Sequence, residues 1–199
     1  MEKLDRLRWM RFNMHYGLIK KCDIANGEGI RVSLFVSGCR NKCKGCFQPE
    51  TWDFYYGTEF DGAAMQEIVS AADNDSVRGL TVLGGEPMEP ENQPYVLAIL
   101  QHFKEKYPKK TIWLYTGSLY EELMGSLGEH RCRTPITEEI LSLVDVLVDG
   151  PYVEEEKQLG LRFRGSKNQR IIDMRATETD GIITLWEGII EDRKYEIKN

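Results

Sequence analysis

The sequence predicts an α/β fold in which a mostly parallel sheet forms an incomplete, open (β/α) barrel. Short apolar runs typical of strands alternate with segments of helical spacing, as in repeated βα units. The chain has 199 residues, whereas a complete eightfold barrel usually needs about 250. The glycine-rich and polar motifs follow the strand-like runs, where βα folds place their active sites.

Apolar runs predict the strands, and segments with apolar residues every three or four positions predict the helices. The predicted strands cover residues 16–22, 31–36, 79–83, 111–115, 146–148, 170–173 and 181–186. The predicted helices cover residues 61–72, 92–107 and 136–144, the first with Asp61 as its N-cap. We expect one domain over residues 1–199, with an N-terminal extension at 1–15 and a C-terminal tail at 176–199.

Composition and charge narrow the function classes. The formal net charge is −6, which argues against a protein built mainly to bind nucleic acid. No apolar run reaches the length of a membrane-spanning helix. Residues 1–11 are charged and include no hydrophobic leader. We therefore expect a cytoplasmic protein without a nucleic-acid or membrane partner, in a compartment that keeps thiols reduced.

Cys39, Cys43 and Cys46 form the most informative motif, a C-x3-C-x2-C triad directly after the strand-like run 31–36. Gly38 ends that run, so the three cysteines lie on one loop. Three thiolates hold three irons of a 4Fe-4S cube, whereas closed electron-transfer clusters normally use four cysteines. The triad therefore predicts a cluster with one open iron that a small molecule can chelate.

A zinc site and disulfide bonds are the alternatives for these cysteines. Structural zinc takes four Cys or His ligands, and the other two cysteines, Cys22 and Cys132, have no partner at metal-ligand spacing. A fourth ligand brought in by folding keeps the zinc alternative open. Disulfides fit less well, because the cysteine count is odd and the chain is not a small secreted scaffold.

The triad, at this spacing after a first strand, resembles the signature of the radical-SAM enzymes. That resemblance implies a barrel of the radical-SAM type and a 4Fe-4S cluster that cleaves S-adenosylmethionine reductively. The segment Gly84, Gly85, Glu86 and Pro87 is similar to the family motif that contacts the amino group of S-adenosylmethionine. A tight turn leaving a strand is the alternative for this segment.

The resemblance also implies where the adenine and the rest of the cofactor lie. The family often has an aromatic residue directly before the third cysteine, where this chain has Gly45. The backbone at Gly45 and Cys46, or the ring of Phe47, is the implied adenine contact. Asp149 ends a predicted strand, and a related activase subfamily has an acidic residue near the cofactor there. A helix or turn cap is the alternative for Asp149.

Four segments together resemble the family of anaerobic ribonucleoside-triphosphate reductase-activating proteins, namely residues 39–57, 84–87, 144–152 and 163–173. This resemblance implies an enzyme that generates a glycyl radical on the large subunit of the reductase, with an external one-electron donor. The segment 26–31 is similar to the D-G-x-G-I-R segment of such activases, and a glycine-rich turn is its alternative. In that segment, Arg31 is predicted to be a surface charge or a partner contact.

Two other functions remain open from the sequence. One is activation of another glycyl-radical protein, such as pyruvate formate-lyase, and the other is a cysteine-ligated metal-binding or electron-transfer module. The aromatic run 52–56 and the loop 164–170 are the surfaces that we expect to meet a protein partner, because Trp and Tyr are frequent interface anchors. Core packing for the aromatic run and a solvent-exposed loop for 164–170 are the respective alternatives.

Overall fold

The structure, a computed structural model, describes residues 13–187. Its strands are β1 (His15–Asp23), β2 (Ile30–Val36), β3 (Thr58–Glu59), β4 (Val77–Gly84), β5 (Thr111–Tyr115), β6 (Val146–Asp149) and β7 (Arg170–Asp173). They form one sheet in the order β3-β1-β2-β4-β5-β6-β7. Every predicted strand up to residue 173 is therefore confirmed in position, whereas the two-residue β3 carries no sequence signal.

Strand direction differs between the centre and the edges of the sheet. β2, β4, β5 and β6 are parallel neighbours, as predicted. β1 pairs antiparallel with β2 and β3, and β7 pairs antiparallel with β6, so the prediction of a mostly parallel sheet holds only for the centre. The segment 24–29 between β1 and β2 is too short for the crossover that a parallel pair requires. An incomplete barrel of the radical-SAM type stays a prediction.

The helices are α1 (Gly62–Ala72), α2 (Gln93–Lys106), α3 (Tyr120–Leu123), α4 (Thr137–Leu143) and α5 (Met174–Asp180). The three predicted helices correspond to α1, α2 and α4. Asp61 caps α1 as predicted, because its Oδ1 accepts a hydrogen bond from the N–H of Ala64 at 2.9 Å. α3 is too short to show a helical period, and α5 has too few apolar residues to show one. Over residues 13–187, no helix has the length and apolar character needed to cross a membrane.

The predicted extension and tail belong partly to the folded domain. Met14 is buried in the core, and its carbonyl accepts from the N–H of Phe60 at 2.8 Å. α5 occupies the first part of the predicted tail. The predicted strand 181–186 is wrong, because Leu185 forms only an isolated bridge with Ile172. Residues 1–12 and 188–199 of these two segments lie outside the described residues.

The two faces of the sheet have different surroundings, because alternate residues of a strand point to opposite sides. On one face, Leu34 and Leu80 pack into the main core with the helices. On the other face, the ring of Trp113 packs against Phe163 and Trp186, at centroid distances of 5.4 and 5.1 Å. The helices thus cover one face, and the carboxyl end of the other face borders a cavity.

Arg31 is buried on the second face, so its predicted role as a surface charge or partner contact is wrong. Its guanidinium donates to Thr81 Oγ1 at 2.6 Å and to the carbonyls of Leu80 and Thr111 at 2.8 and 2.9 Å. It also lies 5.5 Å from the ring centre of Trp113. Burial lowers the pKa of Arg31 to about 10, which leaves it charged at neutral pH. Arg31, on β2, is therefore hydrogen-bonded to both β4 and β5.

Replacing Arg31 by alanine is expected to lower the free energy of unfolding by about 3 kcal/mol, because several buried acceptors lose their donor. Arg31→Lys should recover only part of this loss, since an ammonium group lacks the planar fork of donors. Urea denaturation followed by circular dichroism measures both changes. Arg162→Ala, at an exposed position, is the control and should stay within about 0.5 kcal/mol of the parent. Equal stability of Arg31→Ala and the parent would contradict the assignment.

Candidate functional site

The loops after β2, β4, β5 and β6 surround a cavity of about 570 Å³ at the carboxyl ends of the parallel strands. Its walls include the cysteine loop, the motif at 84–86, the turn at 116–117 and the loop at 164–165. The sequence predicts that the motifs after the strands, including 116–117 and 149–151, lie at one rim. The structure brings the cysteine loop, the motif at 84–86 and the turn at 116–117 together there, whereas residues 149–151 do not line the cavity. The volume lies in the range of small-molecule and cofactor sites.

Cys39, Cys43 and Cys46 all line this cavity. Gly38 opens their loop in the left-handed conformation, with φ of 92°. Burial, together with the nearby charge of Glu86, raises the pKa of Cys39 to about 11. Burial also raises the pKa of Cys43. Because iron is bound by thiolates, loading of this loop with metal would release protons.

The other two cysteines do not line the cavity. Cys22 is exposed on β1, Cys132 is buried in the main core, and all five cysteines are free thiols. Among residues 13–187, no group of three or more His, Cys, Asp or Glu side chains is arranged around a single metal ion. In a cubane cluster each cysteine binds a different iron, so its ligands need not converge on one point as zinc ligands do.

Gly84 and Gly85 let the loop after β4 lie directly against the cysteine loop. A Cβ on Gly85 would lie 2.7 Å from the carbonyl oxygen of Gly38, and a Cβ on Gly84 would lie 2.7 Å from that of Val36. The N–H of Gly85 donates to the carbonyl of Val36 at 2.7 Å, and the N–H of Glu86 donates to that of Gly38 at 2.8 Å. Close packing of two loops therefore requires glycine here, whatever a ligand adds.

Glu86 lies buried in the cavity wall, and its carboxylate joins three segments. Oε1 accepts from the N–H of Met88 at 2.9 Å. Oε2 accepts from Asn41 Nδ2 at 2.9 Å and from the N–H of Gly117 at 2.8 Å. Burial raises the pKa of Glu86, and the two backbone donors oppose that rise. These bonds give Glu86 a positioning role, and a direct ligand contact by its side chain stays a prediction.

A second buried carboxylate, Glu89, extends this network and is missed by the sequence analysis. It accepts from the N–H of Arg40 at 2.8 Å and pairs with Arg131 at 3.1 Å. Arg131 Nη2 also donates to Asn41 Oδ1 at 2.7 Å. Asn41 is detectable in retrospect from its position inside the cysteine motif. Arg131 belongs to no motif, and only folding brings it to the site.

Asp149 is fully buried and does not line the cavity. Its carboxylate accepts from the N–H of Tyr120, the first residue of α3, at 2.8 Å and from Arg170 Nε at 2.9 Å. Arg170 in turn pairs with Glu121 at 2.6 Å. The geometry therefore favours the cap alternative over the cofactor contact implied by the family resemblance.

Asp149→Asn is expected to lower the free energy of unfolding by about 3 kcal/mol, because the buried charge that faces Arg170 is lost. The response of the folded protein to S-adenosylmethionine should not change. Urea denaturation and ligand titration measure the two quantities. Glu121→Gln is the matched control, since this partly exposed carboxylate binds the same guanidinium, and it should cost less than about 1 kcal/mol. Unchanged stability with a lost ligand response would restore Asp149 as a cofactor contact.

The predicted adenine contacts lie in different places. Cys46 and Phe47 line the cavity, whereas Gly45 does not. Gly45 has a φ of 74°, and a Cβ there would strike the carboxylate of Glu154. The ring of Phe47 lies 5.2 Å from that of Tyr152, which also lines the cavity. The sequence analysis assigns no individual role to Tyr152, which ends the segment 144–152, or to Glu154, which lies just beyond it.

The two predicted partner surfaces differ in exposure. In the aromatic run 52–56, Trp52 lines the cavity and Tyr55 is 75 % exposed. In the loop 164–170, Ser166 is fully buried, and its Oγ accepts from the N–H of Val153 at 3.1 Å. Arg164, Gly165 and Gln169 line the cavity, so this loop is part of the cavity wall and is only partly exposed to solvent.

Comparison with known proteins identifies the family. Residues 25–172 match the model of the 4Fe-4S single cluster domain. The chain is 36 % identical over 171 residues to the anaerobic ribonucleoside-triphosphate reductase-activating protein of Enterobacteria phage T4, covering 85 % of this chain and 97 % of the phage protein. The proteins of the same name are 38 % identical in Vibrio cholerae (79 % and 97 % covered) and 34 % identical in Escherichia coli K12 (81 % and 100 % covered). The chain therefore belongs to the family of anaerobic ribonucleoside-triphosphate reductase-activating proteins and contains a 4Fe-4S single cluster domain.

Proposed function

We propose that this chain activates anaerobic ribonucleoside-triphosphate reductase by generating a glycyl radical on the large subunit of that enzyme. The observation that carries the proposal is the shared cavity, in which the cysteine triad and the motif at 84–86 form adjoining walls. The names of the relatives point to the reductase as the partner. An external one-electron donor is the second proposed partner. The thiols need a reducing compartment, and the cytoplasm is the proposed location.

The cavity wall fits a 4Fe-4S cluster with an open iron. Cys39, Cys43 and Cys46 are free thiols on one loop, and all three line the cavity. As thiolates they would hold three irons and leave the fourth for the amino and carboxylate groups of S-adenosylmethionine. When bound, the cluster supplies the electron that cleaves S-adenosylmethionine to methionine and a 5′-deoxyadenosyl radical, which takes a hydrogen atom from the glycine Cα.

The protein's own residues bind, orient and shield the reacting groups. Gly84 and Gly85 line the cavity, and their backbone is the proposed contact for the amino group of the ligand. Glu86 fixes that wall against the cysteine loop through Asn41. The proposed chemistry requires little acid–base catalysis, which agrees with cavity walls that contain no histidine among residues 13–187.

The incomplete (β/α) barrel of the radical-SAM type is part of this proposal. Its support is the parallel centre of the sheet, the helices on one face and the cavity at the other. The sheet begins with β3 and ends with β7, and the described residues show no pairing between these two strands. An open side of this kind would admit a glycine-bearing loop of a large partner.

The proposed function is tested by mixing the reduced, cluster-loaded protein with S-adenosylmethionine and the reductase large subunit in the absence of oxygen. We expect the doublet signal of a glycyl radical on the large subunit, together with 5′-deoxyadenosine in the supernatant. A radical on pyruvate formate-lyase and none on the reductase would overturn the partner. Intact S-adenosylmethionine in every mixture would leave only a metal-binding or electron-transfer module.

A further inference from the structure

The position directly before the third cysteine is filled by a side chain from another loop. Gly45 has a φ of 74°, and an ideal Cβ there would lie 2.1 Å from Glu154 Oε2 and 2.6 Å from Glu154 Cδ. A side chain at position 45 and the present position of Glu154 therefore exclude one another. The space that an aromatic residue before Cys46 would occupy is taken by the segment after β6.

This segment contacts the cysteine loop through Lys44 and through the ring of Phe47. The hydroxyl of Tyr152 donates to Glu154 Oε2, beside Gly45. Lys44 Nζ pairs with Glu155 Oε1 at 2.7 Å. Glu154 therefore orients the Tyr152 side chain, and the Tyr152 ring lies against Phe47 of the cysteine loop.

Tyr152 and Phe47 form an aromatic corner in the cavity wall. Both line the cavity, and their ring centres are 5.2 Å apart with an interplanar angle of 57°. Phe47 remains 65 % exposed, so a large part of its ring is free to be covered. Lys157 Nζ lies 5.0 Å from the centre of the Phe47 ring. Two aromatic rings with open surface at a cavity wall suit a planar ligand with π faces.

We propose that Tyr152, together with Phe47, binds the adenine ring of S-adenosylmethionine, and that Glu154 positions Tyr152. This inference rests on the proposed function, which supplies S-adenosylmethionine as the ligand. Tyr152 provides from a different loop the aromatic surface that Gly45 lacks. The hydroxyl bond to Glu154 sets the angle of the Tyr152 ring, so Glu154 acts through Tyr152 and does not itself touch the base.

The test measures dissociation constants of three probes for the cluster-loaded protein: S-adenosylmethionine, methionine and 5′-deoxyadenosine. Paramagnetic resonance of the reduced cluster reports the first two, and equilibrium dialysis reports the third. In Tyr152→Leu, we expect the constants for S-adenosylmethionine and 5′-deoxyadenosine to rise about 10- to 100-fold, since stacking on an aromatic ring is lost. The constant for methionine and the iron content should stay as in the parent, because the substitution leaves the three thiols of the cysteine loop in place.

Three further variants separate the roles. Tyr152→Phe keeps the ring and loses the hydrogen bond to Glu154. The affinities for the two adenosine-containing probes should therefore fall by less than in Tyr152→Leu. Glu154→Gln should have the same effect as Tyr152→Phe. Phe47→Leu repeats the ring-removal test at an exposed site, should Tyr152→Leu lose iron. Tyr55→Leu, an exposed tyrosine that does not line the cavity, is the matched control and should bind all three probes normally.

Parent-like binding of 5′-deoxyadenosine by both Tyr152→Leu and Phe47→Leu would overturn the inference and leave the proposed function intact. An equal loss of affinity for methionine and 5′-deoxyadenosine would also overturn the inference, because a purely structural role of Tyr152 would affect the binding of both. If the parent protein itself shows no response to S-adenosylmethionine, the proposed function fails, and the inference fails with it.

Discussion

Cys39→Ala, Cys43→Ala and Cys46→Ala are each expected to abolish a complete 4Fe-4S cluster. Each substitution removes one of three thiols that line the same cavity. With two thiolates left on the loop, a second iron has no cysteine, and iron–sulfur clusters depend on these bonds. Anaerobic reconstitution followed by assay of iron and acid-labile sulfide measures the effect, which should be close to complete loss.

The two remaining cysteines are the controls for this experiment. Cys22→Ala should retain the full cluster, since this residue is exposed on β1 and does not line the cavity. Cys132→Ala should also retain it, with a modest loss of stability, because the thiol is buried in the main core. Loss of iron in Cys22→Ala with retention in Cys43→Ala would refute the ligand assignment.

Gly85→Ala is expected to weaken the response of the cluster to S-adenosylmethionine by about 100-fold, the cost of misplacing a site by about 1 Å. The new Cβ would lie 2.7 Å from the carbonyl oxygen of Gly38 and 3.0 Å from that of Thr51. Both contacts are with backbone, so the cysteine loop and the loop after β4 must separate. Titration of the reduced cluster with S-adenosylmethionine, followed by paramagnetic resonance, measures the change.

Gly62→Ala is the matched control for Gly85→Ala. No atom lies within 4 Å of an ideal Cβ at Gly62, which is the first residue of α1. Alanine there should leave the ligand response unchanged, and helix propensity favours it over glycine. A parent-like titration for Gly85→Ala would show that close packing at this position is not needed for the ligand response.

Local sequence patterns were enough to predict the alternating strands and helices and the capped start of α1. Asp61 was identifiable as a cap because a cap and its helix are adjacent in the chain. The parallel centre of the sheet followed from the alternation of strands and helices. The antiparallel edges did not, because pairing direction depends on which strand lies beside β1 and β7 after folding.

The same distinction between local and distant information applies to the candidate site. The cysteine triad and the motif at 84–86 were predictable because each is contiguous and follows a strand. The surroundings of Arg31 and Gly45 were not predictable, because they consist of residues far along the chain. Arg31 is buried against Thr81 and Thr111, and Gly45 faces Glu154. No local pattern carries information about such distant partners.

The sequence by itself determined the position of the cysteine loop, the βα repeat and the strand ends at which the cavity lies, because each depends on spacing along the chain. Only the tertiary structure decided which charges are structural and which side chains complete the cavity. Asp149 became the cap of α3, and Glu86 became the link between three segments. Tyr152 joined Phe47 at the cavity wall. The physical reason is that burial and hydrogen bonding depend on neighbours in space, which the fold brings together from distant parts of the chain.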